Sequence, residues 1–241
     1  LRKAHVNDRI PAKWQWYSKQ GAACAENRDA CGIFESETYT FSIVMDASPC
    51  GERGIQFNAC WISNVLGRMS PELPSATSVL SALQEGQKHL RTERFFAEKA
   101  SYIAILLPRE AQDAYVFYCG DCSLGVRSTE GNIEWLTRPY TLVNALEAFG
   151  IDADASKRHI VTRTLNAKRF QEPEVRVIPA NVFRLWVLAT DGYRYPETDD
   201  TGYPQDDCSV LLIGSGLEAD SSTVDTNLFV RTAPPASEGR K

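Results

Sequence analysis

Three apolar runs in this chain end on an aspartate, and a fourth begins on a pair of them. They are Phe41-Ser-Ile-Val-Met-Asp46, Ala114-Tyr-Val-Phe-Tyr-Cys-Gly-Asp121, Leu185-Trp-Val-Leu-Ala-Thr-Asp191-Gly192 and Asp206-Asp-Cys-Ser-Val-Leu-Leu-Ile213. An apolar run of this length reads as a buried strand, so a carboxylate at its tip sits at the rim of a sheet. One such aspartate alone is more often a turn or cap residue. Several tips converging would make an oxygen-rich pocket suited to Mg²⁺ or Mn²⁺. Two such ions roughly 3.5–4 Å apart can activate a water for hydrolysis. The only histidines are His5, His89 and His159, so a histidine-based zinc site is not expected.

Positioning these tips requires alternating strands and covering helices. Strands are expected over residues 31–35, 39–46, 102–107, 114–119, 124–127, 133–136, 175–178, 185–190 and 209–213. A helix follows the Pro/Gly loop after Asp46, since Ile55, Ala59, Ile62 and Leu66 share one helical face. A second is expected from about 75 to 98, capped by Ser75, with Val79, Leu83 and Leu90 inward. A third stripe, Leu142, Ala145, Leu146 and Phe149, stops at Gly150. Residues 1–20 read as a lead-in to the first strand, and 193–205 as a polar loop. Helices clustered between runs of hairpin-like strands argue for an α+β fold rather than alternating βαβ. Residues 1–213 are expected to form one domain, and the polar stretch 214–241 a mobile tail with one apolar spot at Leu228-Phe229-Val230.

The bulk properties exclude several classes. The 241 residues carry a net charge of −5, with 43% hydrophobic and 24% charged residues. That balance gives no reason to expect nucleic acid or an anionic membrane as partner. Seven cysteines scattered over a long chain argue for reduced thiols in a cytoplasmic protein rather than a disulfide framework. The N-terminus lacks the apolar core of a signal peptide, and no apolar run is long enough to span a bilayer.

The ordered motifs resemble the protein phosphatase 2C (PPM) family of metal-dependent serine/threonine phosphatases, of bacterial type, over roughly residues 18–213. The resemblance implies a four-layer α-β-β-α sandwich of two antiparallel sheets with helices on both outer faces. It implies that Asp46 bridges two Mn²⁺ or Mg²⁺ ions and that the Ala47 carbonyl binds one of them. Asp191 and Asp206 would be further ligands, with a third, weaker ion at Asp121. Gly21 followed by Asn27-Arg28-Asp29 resembles the opening motif, in which Asp29 supports the metal site from behind. Arg28 stands where the family has Glu, and Cys24 where it has a phosphate-binding arginine, so Arg28 becomes the candidate for that role. Ser48-Pro49-Cys50-Gly51 departs from the usual continuation. Val161-Thr-Arg-Thr-Leu165 resembles the Ile-Thr-Arg-Ala-Leu motif, expected on a helix. Asp206-Asp207 matches the closing Asp-Asn pair.

The activity implied is hydrolysis of phosphoserine or phosphothreonine in a protein partner, opposing a cognate serine/threonine kinase, with Asp46 and Asp191 as the catalytic core. Specificity is expected from residues 193–205 and 67–100. The alternative is a phosphatase-like regulatory or phosphoprotein-binding module with weak or no turnover, motivated by Cys24, Arg28 and Ser48-Pro49-Cys50. A dithiol oxidoreductase at Cys119-Gly-Asp-Cys122 is disfavoured, because a strand rather than a helix follows the motif. No Gly-x-x-x-x-Gly-Lys loop is present for nucleotide hydrolysis.

Overall fold

β3 (Tyr39–Ala47) and β4 (Lys99–Pro108) form the apolar centre of the chain and are buried along nearly their whole length. Strands read as continuous apolar runs when both faces of their sheet are covered. The computed structural model describes residues 13–110, 113–180, 185–223 and 227–234. The N-terminal stretch with His5 lies outside the described residues.

The sheet around this pair runs β13 (Leu228–Thr232), β2 (Asp29–Glu35), β3, β4, β5 (Asp113–Cys119) and β9 (Glu174–Pro179), with β8 (Leu165–Asn166) also on β4. The second sheet runs β12 (Ser221–Ser222), β1 (Lys13–Lys19), β11 (Cys208–Gly214), β10 (Leu185–Ala189), β6 (Ser123–Arg127) and β7 (Ile133–Trp135). Pairing is antiparallel except at one edge of each sheet, where β13 joins β2 and β12 joins β1 in parallel. Ile33, Val44 and Ile103 of one sheet meet Trp16, Trp186 and Leu211 of the other in an apolar core between them.

The outer face of the first sheet carries α1 (Gly54–Gly67) and α2 (Ala76–Thr92). Phe57, Trp61, Ile62 and Val65 recur at helical spacing and pack with Val79 and Leu83 of α2. The opposite outer face is covered differently. Val187, Ala189, Val210 and Leu212 are shielded by Trp135, Leu185, Tyr193 and Leu217, and no residue of α1, α2 or α3 (Leu142–Ala148) joins that cluster. Among the described residues the helix there is the single turn α4 (Asp191–Arg194). The expected α+β sandwich of two packed sheets is present, with its long helices on one side.

Four local expectations are corrected. Residues 13–19 are not a lead-in but strand β1, in which Trp14, Trp16 and Ser18 face inward while Gln15, Tyr17 and Lys19 face out. α2 ends at Thr92 rather than near 98, because Arg94 turns left-handed (φ 60) and Phe95 folds back, its N–H donating to the Leu90 carbonyl. Val161 and Leu165 lie on no helix; Val161 bridges Thr141 and Leu165 opens β8. The stretch expected to be mobile supplies an edge strand to each sheet, since its apolar spot Leu228-Phe229 finds buried neighbours on β2 and the cores beside it. Among the described residues no helix is long and apolar enough to cross a membrane.

Candidate active site

Strand register gathers the aspartates. Asp46 lies opposite Asp29 on β2 and opposite Ser101 on β4. Asp121 follows the turn after β5, where Gly120 adopts a φ of +103 and a Cβ would fall 2.1 Å from the Ser101 hydroxyl. Only glycine fits there, and it brings the Asp121 N–H within 3.2 Å of Ser101 Oγ. Asp191 starts α4 directly beyond β10, and Asp206 precedes the antiparallel neighbour β11, so both lie at the same end of these two strands. Asp46, Asp121, Asp191 and Asp206 thereby line one cavity of about 890 Å³.

Close approach of these segments depends on small residues. A Cβ on Gly192 would lie 2.1 Å from the Asp207 carbonyl oxygen, which accounts for the Asp-Gly pair. Asp207 does not face the same task as Asp206. Its two carboxylate oxygens accept the N–H groups of Gly21 (2.9 Å) and Arg28 (2.8 Å), clamping the 21–28 loop to β11. Asp29 is fully buried behind Asp46, and Thr190 Oγ1 donates to it at 3.1 Å.

The electrostatics are those of crowded like charges. Burial raises the carboxyl of Asp46 well above the usual range, with Asp29, Asp191, Asp121 and Asp206 adding repulsion. Burial, then Asp121 and Asp206, push Asp191 up to about 7. Asp29 and Asp121 are also raised, chiefly by burial. Asp121 Oδ1 is buried without a hydrogen-bond partner. An unpaired buried carboxylate oxygen among other carboxylates calls for a cation. A donor set of carboxylates, with Ala47 on the same wall, suits a hard divalent ion. No three His, Cys, Asp or Glu side chains form a ready metal cluster among the described residues.

The remaining candidates divide. Arg28 lines the cavity, but its Nη1 donates to the carbonyls of Ser48 (3.2 Å) and Gly51 (2.9 Å), and its Nε pairs with Glu26 at 3.1 Å. It holds the Ser48-Pro49-Cys50 loop in place. Cys24 donates to Asp206 Oδ1 at 3.4 Å, and burial with the nearby Asp207 pushes its thiol up to about 12. Cys119 and Cys122 are free thiols packed in different cores, one under the helices and one between the sheets, so they do not act as a dithiol. Sequence reading missed Lys99, Ser101 and His159, which also line the cavity. No motif flags them; Lys99 and Ser101 arrive through the register of β4 against β3, and His159 through a loop whose neighbour Ile160 accepts the Leu142 N–H.

No protein-family model and no curated protein sequence matches the chain. Solved structures do. The serine/threonine phosphatase Stp1 from Staphylococcus aureus superposes with a TM-score of 0.72 at 15% identity, covering 89% of this chain and 99% of its own. The fold is that of the bacterial serine/threonine phosphatases. The PPM phosphatase MsPP from Mycobacterium smegmatis, solved with cacodylate, gives 0.68 at 16% identity over 84% of this chain and 97% of its own. The catalytic domain of the phosphatase PstP, solved with two manganese ions, gives 0.66 at 16% identity over 85% and 98%. Within this phosphatase fold the acid-lined cavity described above belongs to strand ends and the turns beside them, the part of a sandwich best able to converge side chains from separate strands.

Proposed function

We propose that this chain is a metal-dependent phosphatase that hydrolyses phosphoserine or phosphothreonine in a protein substrate. The observation that carries the reading is the convergence of Asp46, Asp121, Asp191 and Asp206 from separate strand ends on one cavity of a phosphatase fold. Asp46, Asp191 and Asp206, with the Ala47 carbonyl, would hold two Mn²⁺ or Mg²⁺ ions, and Asp121 a third, weaker one. When bound, these ions supply an activated water and positive charge toward the phosphoryl oxygens.

The chain's own groups do the rest. Asp46 and Asp191 set the geometry of the reacting centre, Asp46 from the middle of a buried sheet and Asp191 from a one-turn helix locked by Gly192. Asp29, anchored by Thr190, fixes Asp46 from behind. Arg28 holds the 48–51 loop beside the cavity, and the guanidinium N–H groups that these contacts leave over would add to the positive charge offered to a phosphate. The partner is a phosphorylated protein, with a serine/threonine kinase as the enzyme that supplies it. Seven free thiols fit a reducing cytoplasm.

The test is hydrolysis of a phosphoserine peptide and of an aryl phosphate across a Mn²⁺ titration. With arginine rather than an acid at position 28, half-saturation is expected near ~10⁻³ M, the weak end of oxygen-ligand sites. Full activity in excess EDTA would overturn the reading. Tight binding of a phosphoprotein with no turnover at any Mn²⁺ concentration would favour the regulatory module.

A further inference from the structure

We infer that Lys99 is a phosphate-binding cation of this cavity, delivered by strand register where no motif announces it. The inference rests on the phosphatase reading and names a group through which the cavity holds its substrate. A phosphate dianion entering a cavity floored by carboxylates needs positive charge on the wall. Few side chains there can supply it: Arg28, Lys99 and His159. Position 24 is a cysteine whose thiol is turned to Asp206. Arg28 already serves two carbonyls and Glu26.

Lys99 is placed differently. Its backbone is held on both sides, by the Ser48 N–H donating to its carbonyl at 3.0 Å and by pairing with Asn166 of β8. The next residue, Ala100, lies opposite Ala47, and Ser101 lies opposite Asp46. The Lys99 Cα is therefore fixed beside the strand end that carries the central aspartate. Its side chain is exposed at the cavity wall and enters no ion pair among the described residues. The adjacent acid, Glu98, is buried and accepts the Arg53 N–H at 3.0 Å, so it is not the partner. A rigidly based stem with a free, rotatable ammonium suits a phosphate, which accepts from any direction.

The experiment compares wild type, Lys99→Gln and Lys99→Arg, each loaded with Mn²⁺, by thermal shift with inorganic phosphate and by phosphate inhibition of aryl phosphate hydrolysis. Lys99→Gln should weaken phosphate binding by about ten- to a hundredfold while its response to Mn²⁺ alone stays that of wild type. Lys99→Arg should restore most of the affinity. Wild-type phosphate affinity in Lys99→Gln, or no phosphate binding by wild type, would overturn the assignment. So would loss of the Mn²⁺ response in Lys99→Gln, because Lys99 would then be supporting the metal site. Phosphate binding that depends on Lys99 without turnover of any phosphopeptide would sink the phosphatase reading and leave this one standing. Turnover with unchanged phosphate affinity in Lys99→Gln would do the reverse.

Discussion

Asp191 is largely buried, faces Asp121 and Asp206, and its carboxyl is pushed up to about 7. Replacing it with Asn keeps the shape and removes one charge. Asp191→Asn is therefore expected to stabilise the metal-free protein at pH 7 by roughly 1–3 kcal/mol, while Mn²⁺-dependent turnover falls at least ~100-fold. Denaturant melts in EDTA beside a kinetic assay check both halves; an unchanged rate would remove Asp191 from the site. The same raised carboxyls set a pH dependence. A native group that holds its proton more tightly than the unfolded chain does adds stability that is complete below the unfolded pKa of about 3.9 and is lost as pH rises through the native value. For Asp191 that window closes near 7. The melting temperature in EDTA should thus decline from about pH 4 to 7, and Mn²⁺ should recover more of it at pH 7 than at pH 5. Equal Mn²⁺ effects at both would show that the carboxylates are not the ions' ligands.

At the scale of elements, the ends of α2 show why one boundary could be read and the other could not. Ser75 accepts the Ser78 N–H at 3.1 Å, the cap its type and position announce. The other end is closed by Arg94 in the left-handed region, where sequence reading looks for glycine. What makes that turn worthwhile is remote in sequence: Phe95 packs edge-on against Phe57 of α1 at 5.7 Å. Arg94 is exposed, so Arg94→Gly should relieve the strain and raise stability by roughly 0.5–1 kcal/mol, read by chemical denaturation. A loss of stability would mean that the arginine side chain contributes more than its backbone costs. β1 was obscured for a related reason. Its polar outward residues dilute the apolar signal, and only β11 beside it reveals that Trp14 and Trp16 face a core.

At the scale of the whole molecule, the C-terminal stretch closes one edge of the first sheet. Asn227 accepts the Cys31 N–H at 2.8 Å, Arg231 donates to the Leu66 carbonyl at 3.1 Å, and Leu228 and Phe229 pack against the two main cores. Ending the chain after Thr223 should cost about 2–4 kcal/mol from lost apolar burial and expose the β2 edge to association. Thermal melts and light scattering of the shortened protein test this; an unchanged melt would make β13 dispensable.

The sequence by itself determined the apolar runs, their order and the aspartates at their tips, because strand formation and its interruption are local matters of side-chain type and spacing. It also made the α+β class readable, since the helical stripes stand apart from the hairpin-like strands. Which of the acids share a cavity was decided only when β2, β3, β4, β5, β10 and β11 were set in register. Asp206 and Asp207 both line the cavity, but the Asp207 carboxylate is taken up by the Gly21 and Arg28 N–H groups, although the two are adjacent in the chain. Arg28 was drawn into holding a loop, and Lys99 was delivered to the wall, by contacts 20 or more residues away. Pairing between distant segments depends on the summed fit of whole strands, and no single residue encodes it.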